Sequence, residues 1–171
     1  YQPSRGLGDV YKRQLMAYSI PLTALIGFYL GGYWLFTTPF YIFVIIPIVE
    51  FLLTRYGIDE LETHRAEKGI HWLFDLMLYL NILIVFGLLI YSLTKIVSFE
   101  FMSIEFLGSL LSLGLVLASN GINVAHELCH RTNTPERILG KFLLIPSLYM
   151  HFYLEHNLSL IHISEPTRRL V

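Results

Sequence analysis

Long uncharged apolar runs constrain this chain more than any other feature. They recur at 15–36, 40–48 running on to 53, 76–93 and 106–124, and about 20 such residues suffice for a helix to cross the hydrocarbon of a bilayer. With 54% of residues apolar and only 15% charged, the composition is that of a membrane-embedded chain and not of a soluble domain. The expected fold is therefore all-α: a polytopic membrane helix bundle of about four spans plus a broken interfacial helix. Pro47 interrupts the second run, and the short Thr37-Thr38-Pro39 stretch predicts a hairpin between the first two spans. Loop charges set the orientation. There is no Lys or Arg in 37–39, three in 55–69, one in 94–103 and three in 131–141, which places the second and fourth loops on the cytoplasmic side. A net charge of −1 gives no reason to expect a nucleic-acid partner. The single cysteine, Cys129, has no internal disulfide partner, so cysteine usage does not report the compartment.

Both ends of the chain look foreign to the protein. Residues 9–14, DVYKRQ, are what GAT GTG TAT AAG AGA CAG encodes, a sequence resembling the transposase mosaic end used in shotgun sequencing libraries. Residues 158–168, LSLIHISEPTR, are encoded by a sequence that begins as the reverse complement of the same oligonucleotide. We expect 1–14 and 158–171 to be adapter-derived and 15–157 to be the biological part, which removes His162 from any ligand count.

The residues with chemistry to offer lie at the end of the fourth run. HELCH at 126–130 places His126 and His130 one turn apart on one helix face, where both reach a single ion or two adjacent ions. Asn120, Asn123 and Glu127 extend a polar stripe along that helix, and such groups at membrane depth normally face the bundle interior or a hydrated cavity. A helix leaving the membrane also turns polar for no catalytic reason, so a second cluster matters. Pro135 breaks the chain and Glu136 opens a further helix. As one straight helix that segment would carry His156 about 27 Å from its start. A break at Pro146 offers a way back, so that a broken or re-entrant segment could return His151 and His156 toward His126 and His130. Elsewhere His64 and His71 read as solvated loop residues and Glu50 and Asp75 as snorkelling span ends. Asn81 and the many aromatic residues read as packing and interface anchors. Gly27 and Gly31 have close-packing spacing but are given no functional weight. HELCH is also HExxH, in which two histidines bind zinc and the glutamate activates water. That alternative, an intramembrane zinc metalloprotease with Glu127 as general base, requires a later carboxylate ligand in place of more histidines.

The run Asn123-Val-Ala-His126-Glu-Leu-Cys-His130-Arg131, then Gly140-Lys141, then His151-Phe-Tyr-Leu-Glu155-His156-Asn157, resembles the membrane-bound alkane 1-monooxygenases of the integral-membrane fatty acid desaturase and hydroxylase superfamily. The likeness covers most of 15–157 in layout and is sharp from 123 to 157. It implies an oxidoreductase with two non-haem iron ions, His126 and His130 matching ligands of the first box and His156 the first ligand of the second. It further implies His151, Asn123, Glu127 and Glu155 as possible ligands or outer partners. The reaction implied is alkane plus O₂ plus two electrons to primary alcohol and water, with rubredoxin as electron donor. An alkane or other lipid-like substrate, membrane lipids around the bundle and a bacterial inner membrane location with the histidine motifs facing the cytoplasm complete the expectation. A desaturase or hydroxylase of the same superfamily remains open. Cys129 stands where the family has glycine, which raises the question of a thiol near oxygen chemistry. The GHH expected after Asn157 and a third histidine box are both missing, so this chain alone is expected to be an inactive fragment.

Overall fold

The computed structural model describes residues 6–55 and 71–152, with side chains placed over 17–55 and 75–152. Every regular element among these residues is helical. We number five helices: α1 Gly6–Leu30, α2 Gly32–Arg55, α3 His71–Ile96, α4 Ile104–Cys129 and α5 Thr134–Leu144. Three stretches are long and apolar enough to cross a membrane: α2 with 24 residues, Asp75–Ile96 of α3 with 22, and α4 with 26. At about 1.5 Å per residue each exceeds the roughly 30 Å of hydrocarbon. The described apolar part of α1, Ala17–Leu30, is shorter. The chain is thus a membrane helix bundle, with three such helices among the described residues where the sequence predicts four spans.

The first apolar run ends earlier in the structure than in the sequence reading. The chain reverses at Gly31 and Gly32, whose φ angles of 71° and 56° are left-handed, a conformation that glycine alone adopts without a Cβ penalty. Thr37-Thr38-Pro39, the expected hairpin, instead lies inside α2. Residues 33–36 therefore belong to the second helix and not to the first. Gly27 serves the same hairpin in another way: a Cβ there would stand 2.6 Å from the carbonyl oxygen of Trp34, so only glycine permits this approach of the two backbones.

Three prolines lie within α1 and α2, and each removes a backbone donor. Pro21 cannot serve the carbonyl of Ala17, and the side-chain amide of Asn120 on α4 donates to that oxygen at 3.0 Å. Pro39 cannot serve the carbonyl of Leu35, and the hydroxyl of Ser112 on α4 donates there. Before Pro47 the backbone widens into a π-helical stretch at Tyr41–Ile45, with Ile46 N–H donating to the carbonyl of Tyr41, a local adjustment of the kind that accommodates a missing donor.

The chain divides into two compact units, Tyr1–Asn120 and Gly121–Val171. In the first, Ala24 and Phe28 of α1, Leu35 of α2, Leu88 and Ile96 of α3, and Leu113 and Val116 of α4 form the buried core. Small residues admit the close contacts, as lipid-surrounded helices require. A Cβ on Gly108 would meet the Phe36 ring at 2.7 Å and Leu35 at 3.1 Å. A polar knot crosses this unit as well. Asn81 donates to the backbone carbonyl of Asn120, and Asn120 donates to Oδ1 of Asn81, both at 2.9 Å. Ser119 donates to Oδ1 of Asn120 at 3.0 Å, so both amide hydrogens and the oxygen of Asn120 are used. Asn120 sits in a second π-helical stretch, Leu117–Ile122.

In the second unit, Ala125, Leu128 and Cys129 of α4 are buried with Gly140, Leu143 and Leu144 of α5. A Cβ on Gly140 would lie 3.0 Å from the carbonyl oxygen of Ala125, from Sγ of Cys129 and from Cβ of Leu128, so the two helices touch there almost backbone to backbone. Pro135 opens α5 within its first two positions, where its missing donor has no helical partner to lose; it starts this helix as well as ending the loop. Beyond α5 the chain stops at Pro146 as expected. Tyr149 N–H donates to the carbonyl of Leu144 at 3.2 Å and Leu148 N–H to that of Ile145 at 2.9 Å, the paired bonds of a Schellman closure. The left-handed position is taken by Leu148, with φ 53°, where glycine is usual.

Candidate metal centre

His126 lies in the last turn of α4 and His130 caps its C-terminus. Their spacing of four residues stacks them on one face, and the structure brings Nε2 of His126 and Nε2 of His130 to 3.0 Å, with the rings at 90° and centroids 4.5 Å apart. One nitrogen must carry the hydrogen and the other the lone pair for this contact to attract. A cation can replace that hydrogen. Two imidazole nitrogens each about 2.1 Å from one ion and at right angles to each other are about 3.0 Å apart, so the pair already has the separation of two neighbouring ligands. Its place at a helix C-terminus, where carbonyl oxygens carry the negative end of the dipole, also favours a cation. Nitrogen donors of this kind suit iron, zinc or copper and not magnesium or calcium, so the donor set fits the irons implied by the resemblance.

The surrounding groups divide differently from the expected stripe. Asn120 is buried and faces Asn81 and Ala17, while Asn123, only three residues on, is exposed. Asn120 is therefore a packing residue of the bundle and no part of the histidine face. Glu127 pairs with Arg131 at 3.6 Å along the helix, a partly exposed pair whose contribution to stability is small. Cys129 is buried and packs toward Gly140, which places its thiol in the seam between α4 and α5.

The chain turns back after Pro146, and of the two histidines expected to return only His151 falls among the described residues. Phe152 lies against the His126 ring, with centroids 5.7 Å apart in an edge arrangement. Tyr149 packs on Phe152 at 5.4 Å and on His151 at 4.7 Å. His151 is exposed, and among the described residues no group of three or more His, Cys, Asp or Glu stands close enough to hold a metal ion. Glu155 and His156, like His64 and His162, lie outside the described residues, and of His71 only the backbone is described. Sequence reasoning passed over Phe152 and Tyr149. Their signal was available in the aromatic residues that follow the Pro146 break within the expected return.

Fold and site together define a polytopic membrane helix bundle in which the last long helix among the described residues ends in a paired-histidine HExxH. Comparison with known proteins narrows this class. The chain is 30% identical over 139 residues to alkane 1-monooxygenase 1 of Pseudomonas aeruginosa, a match covering 79% of this chain and 36% of that protein. It is 29% identical over 155 residues to alkane 1-monooxygenase 1 of Alcanivorax borkumensis, covering 85% and 38% respectively. The chain thus spans little more than a third of the length of the curated relatives it matches. No family model matches it.

Proposed function

We propose that this chain is part of a membrane-bound non-haem di-iron monooxygenase that hydroxylates the terminal carbon of alkanes. The observation that carries the proposal is the 3.0 Å approach of His126 and His130 at the end of a membrane-length helix, in a chain similar to two proteins named alkane 1-monooxygenase. His126 and His130 would hold iron together with His156 and ligands from the rest of the protein, with His151, Asn123, Glu127 and Glu155 as candidate ligands or outer partners. Bound iron supplies the O₂-derived oxidant that an unactivated C–H bond requires. The balanced reaction is alkane, O₂, two electrons and two protons giving primary alcohol and water. Electrons would come from rubredoxin on the cytoplasmic side of the bacterial inner membrane. A linear alkane partitions into lipid, and apolar helices around the site would orient its terminal carbon while excluding water. In this chain the imidazoles hold the cation, and the aromatic wall of Phe152 and Tyr149 keeps the His126 side of the site apolar.

The test uses the whole parent protein in membranes with rubredoxin and its reductase. Conversion of octane to 1-octanol, lost in His126→Gln and His130→Gln, is the expected result. Two outcomes overturn the proposal. One is zinc in place of iron with peptide hydrolysis abolished by Glu127→Gln, which assigns a metalloprotease. The other is acyl-chain desaturation or hydroxylation with no action on octane, which assigns a different member of the superfamily.

A further inference from the structure

The histidine pair and the segment that folds back over it suggest a role for a residue with no ligand chemistry of its own. We infer that Phe152 is a positioning residue for the His126 imidazole, holding its Nε2 toward that of His130; this rests on His126 and His130 forming a metal-binding pair. A histidine ring on a helix end rotates about two side-chain bonds, and the pair bond at 3.0 Å holds one of its nitrogens. Phe152 meets the same ring edge-on at 5.7 Å, with the planes at 61°. This is the arrangement that the quadrupoles of aromatic rings favour.

The placement of Phe152 is built into the local backbone. Gly140 lets α5 lie flush on the last turns of α4, with 3.0 Å to the Ala125 carbonyl oxygen for any added Cβ. The closure at Leu148 then reverses the chain, despite a left-handed φ of 53° on a branched residue. Tyr149 backs the Phe152 ring from the other side at 5.4 Å. Here the ring contacts run without interruption from Tyr149 through Phe152 and His126 to His130.

The test compares Phe152→Leu, which keeps apolar bulk without a ring, with Phe152→Tyr, which keeps the ring. Both are made in the full chain purified in detergent micelles. Long-range ¹H–¹⁵N spectra of the imidazoles, assigned by loss of signals in His126→Gln, read the metal-free ring directly. Co²⁺ titration followed by visible absorption reads the pair as ligands. Phe152→Leu is expected to shift the His126 ring signals and weaken Co²⁺ binding about three- to tenfold, the scale of one aromatic edge contact. Phe152→Tyr is expected to restore both within about twofold, a rescue that loss of packing bulk cannot explain. Unchanged His126 signals and Co²⁺ affinity in Phe152→Leu overturn the inference, as does equal damage from both variants with helical content retained. If the unmodified chain binds no Co²⁺, the metal reading of the pair fails and the imidazole spectra alone decide the role of Phe152.

Discussion

Replacing Asn120 with alanine perturbs two helices at once, and the size of the effect can be worked out bond by bond. The substitution removes the donor to the Ala17 carbonyl at 3.0 Å and the donor to Oδ1 of Asn81 at 2.9 Å. The Asn81 amide keeps its bond to the backbone carbonyl of residue 120. Hydrogen bonds between membrane helices average about 0.6 kcal/mol and reach about 1.7. With the bond from the Ser119 hydroxyl to Oδ1 of Asn120 also removed, three lost side-chain bonds give an expected destabilisation of about 2 kcal/mol. The Ala17 carbonyl depends on Asn120 because Pro21 supplies no N–H. In a Pro21→Ala background, residue 21 donates to that carbonyl itself, so Asn120→Ala should then cost about 1 kcal/mol less. Reversible unfolding in mixed detergent and SDS micelles, followed by far-UV circular dichroism, measures all four corners of this double-mutant cycle. Additivity within about 0.3 kcal/mol would refute the idea that Asn120 compensates for the proline.

The same logic applies to Ser112→Ala, whose cost should shrink by about 0.5–1 kcal/mol when Pro39→Ala restores a donor for the Leu35 carbonyl, measured by the same unfolding assay. Leu148→Gly should raise stability by about 1 kcal/mol, since it removes a Cβ from a left-handed position, and the same denaturation midpoint reads it. Gly140→Leu should destabilise the α4–α5 contact by about 1–3 kcal/mol or more by overpacking, with Gly140→Ala less harmful, checked by protease susceptibility after α5.

Much of this architecture is legible in the sequence because the controlling interactions are local. Uninterrupted apolar runs become helices, Pro135 and Pro146 bound α5, and the four-residue spacing alone brings His126 and His130 together. The first turn is misread because Pro39 fits a hairpin and a helix equally well, while the reversal itself falls at the left-handed Gly31 and Gly32. Likewise, Asn120 reads as part of the histidine stripe because its real partner, the Ala17 carbonyl, lies 103 residues away. Around the site, the break at Pro146 could be read, but the seating of Phe152 against His126 could not. That depends on the left-handed turn at Leu148, a conformation that leucine gives no reason to expect.

The proline compensation in the first unit also bears on how the bundle is assembled. Helices α1 and α2 are synthesised first, and each carries a carbonyl that its own backbone cannot satisfy. Both donors come from α4, at Ser112 and Asn120. Until that helix leaves the ribosome, the first hairpin must leave those oxygens to water or the insertion machinery, because lipid offers them nothing. Helix α4 is thus the element that meets the unmet backbone of α1 and α2, and a chain halted before residue 112 would leave both oxygens without these donors.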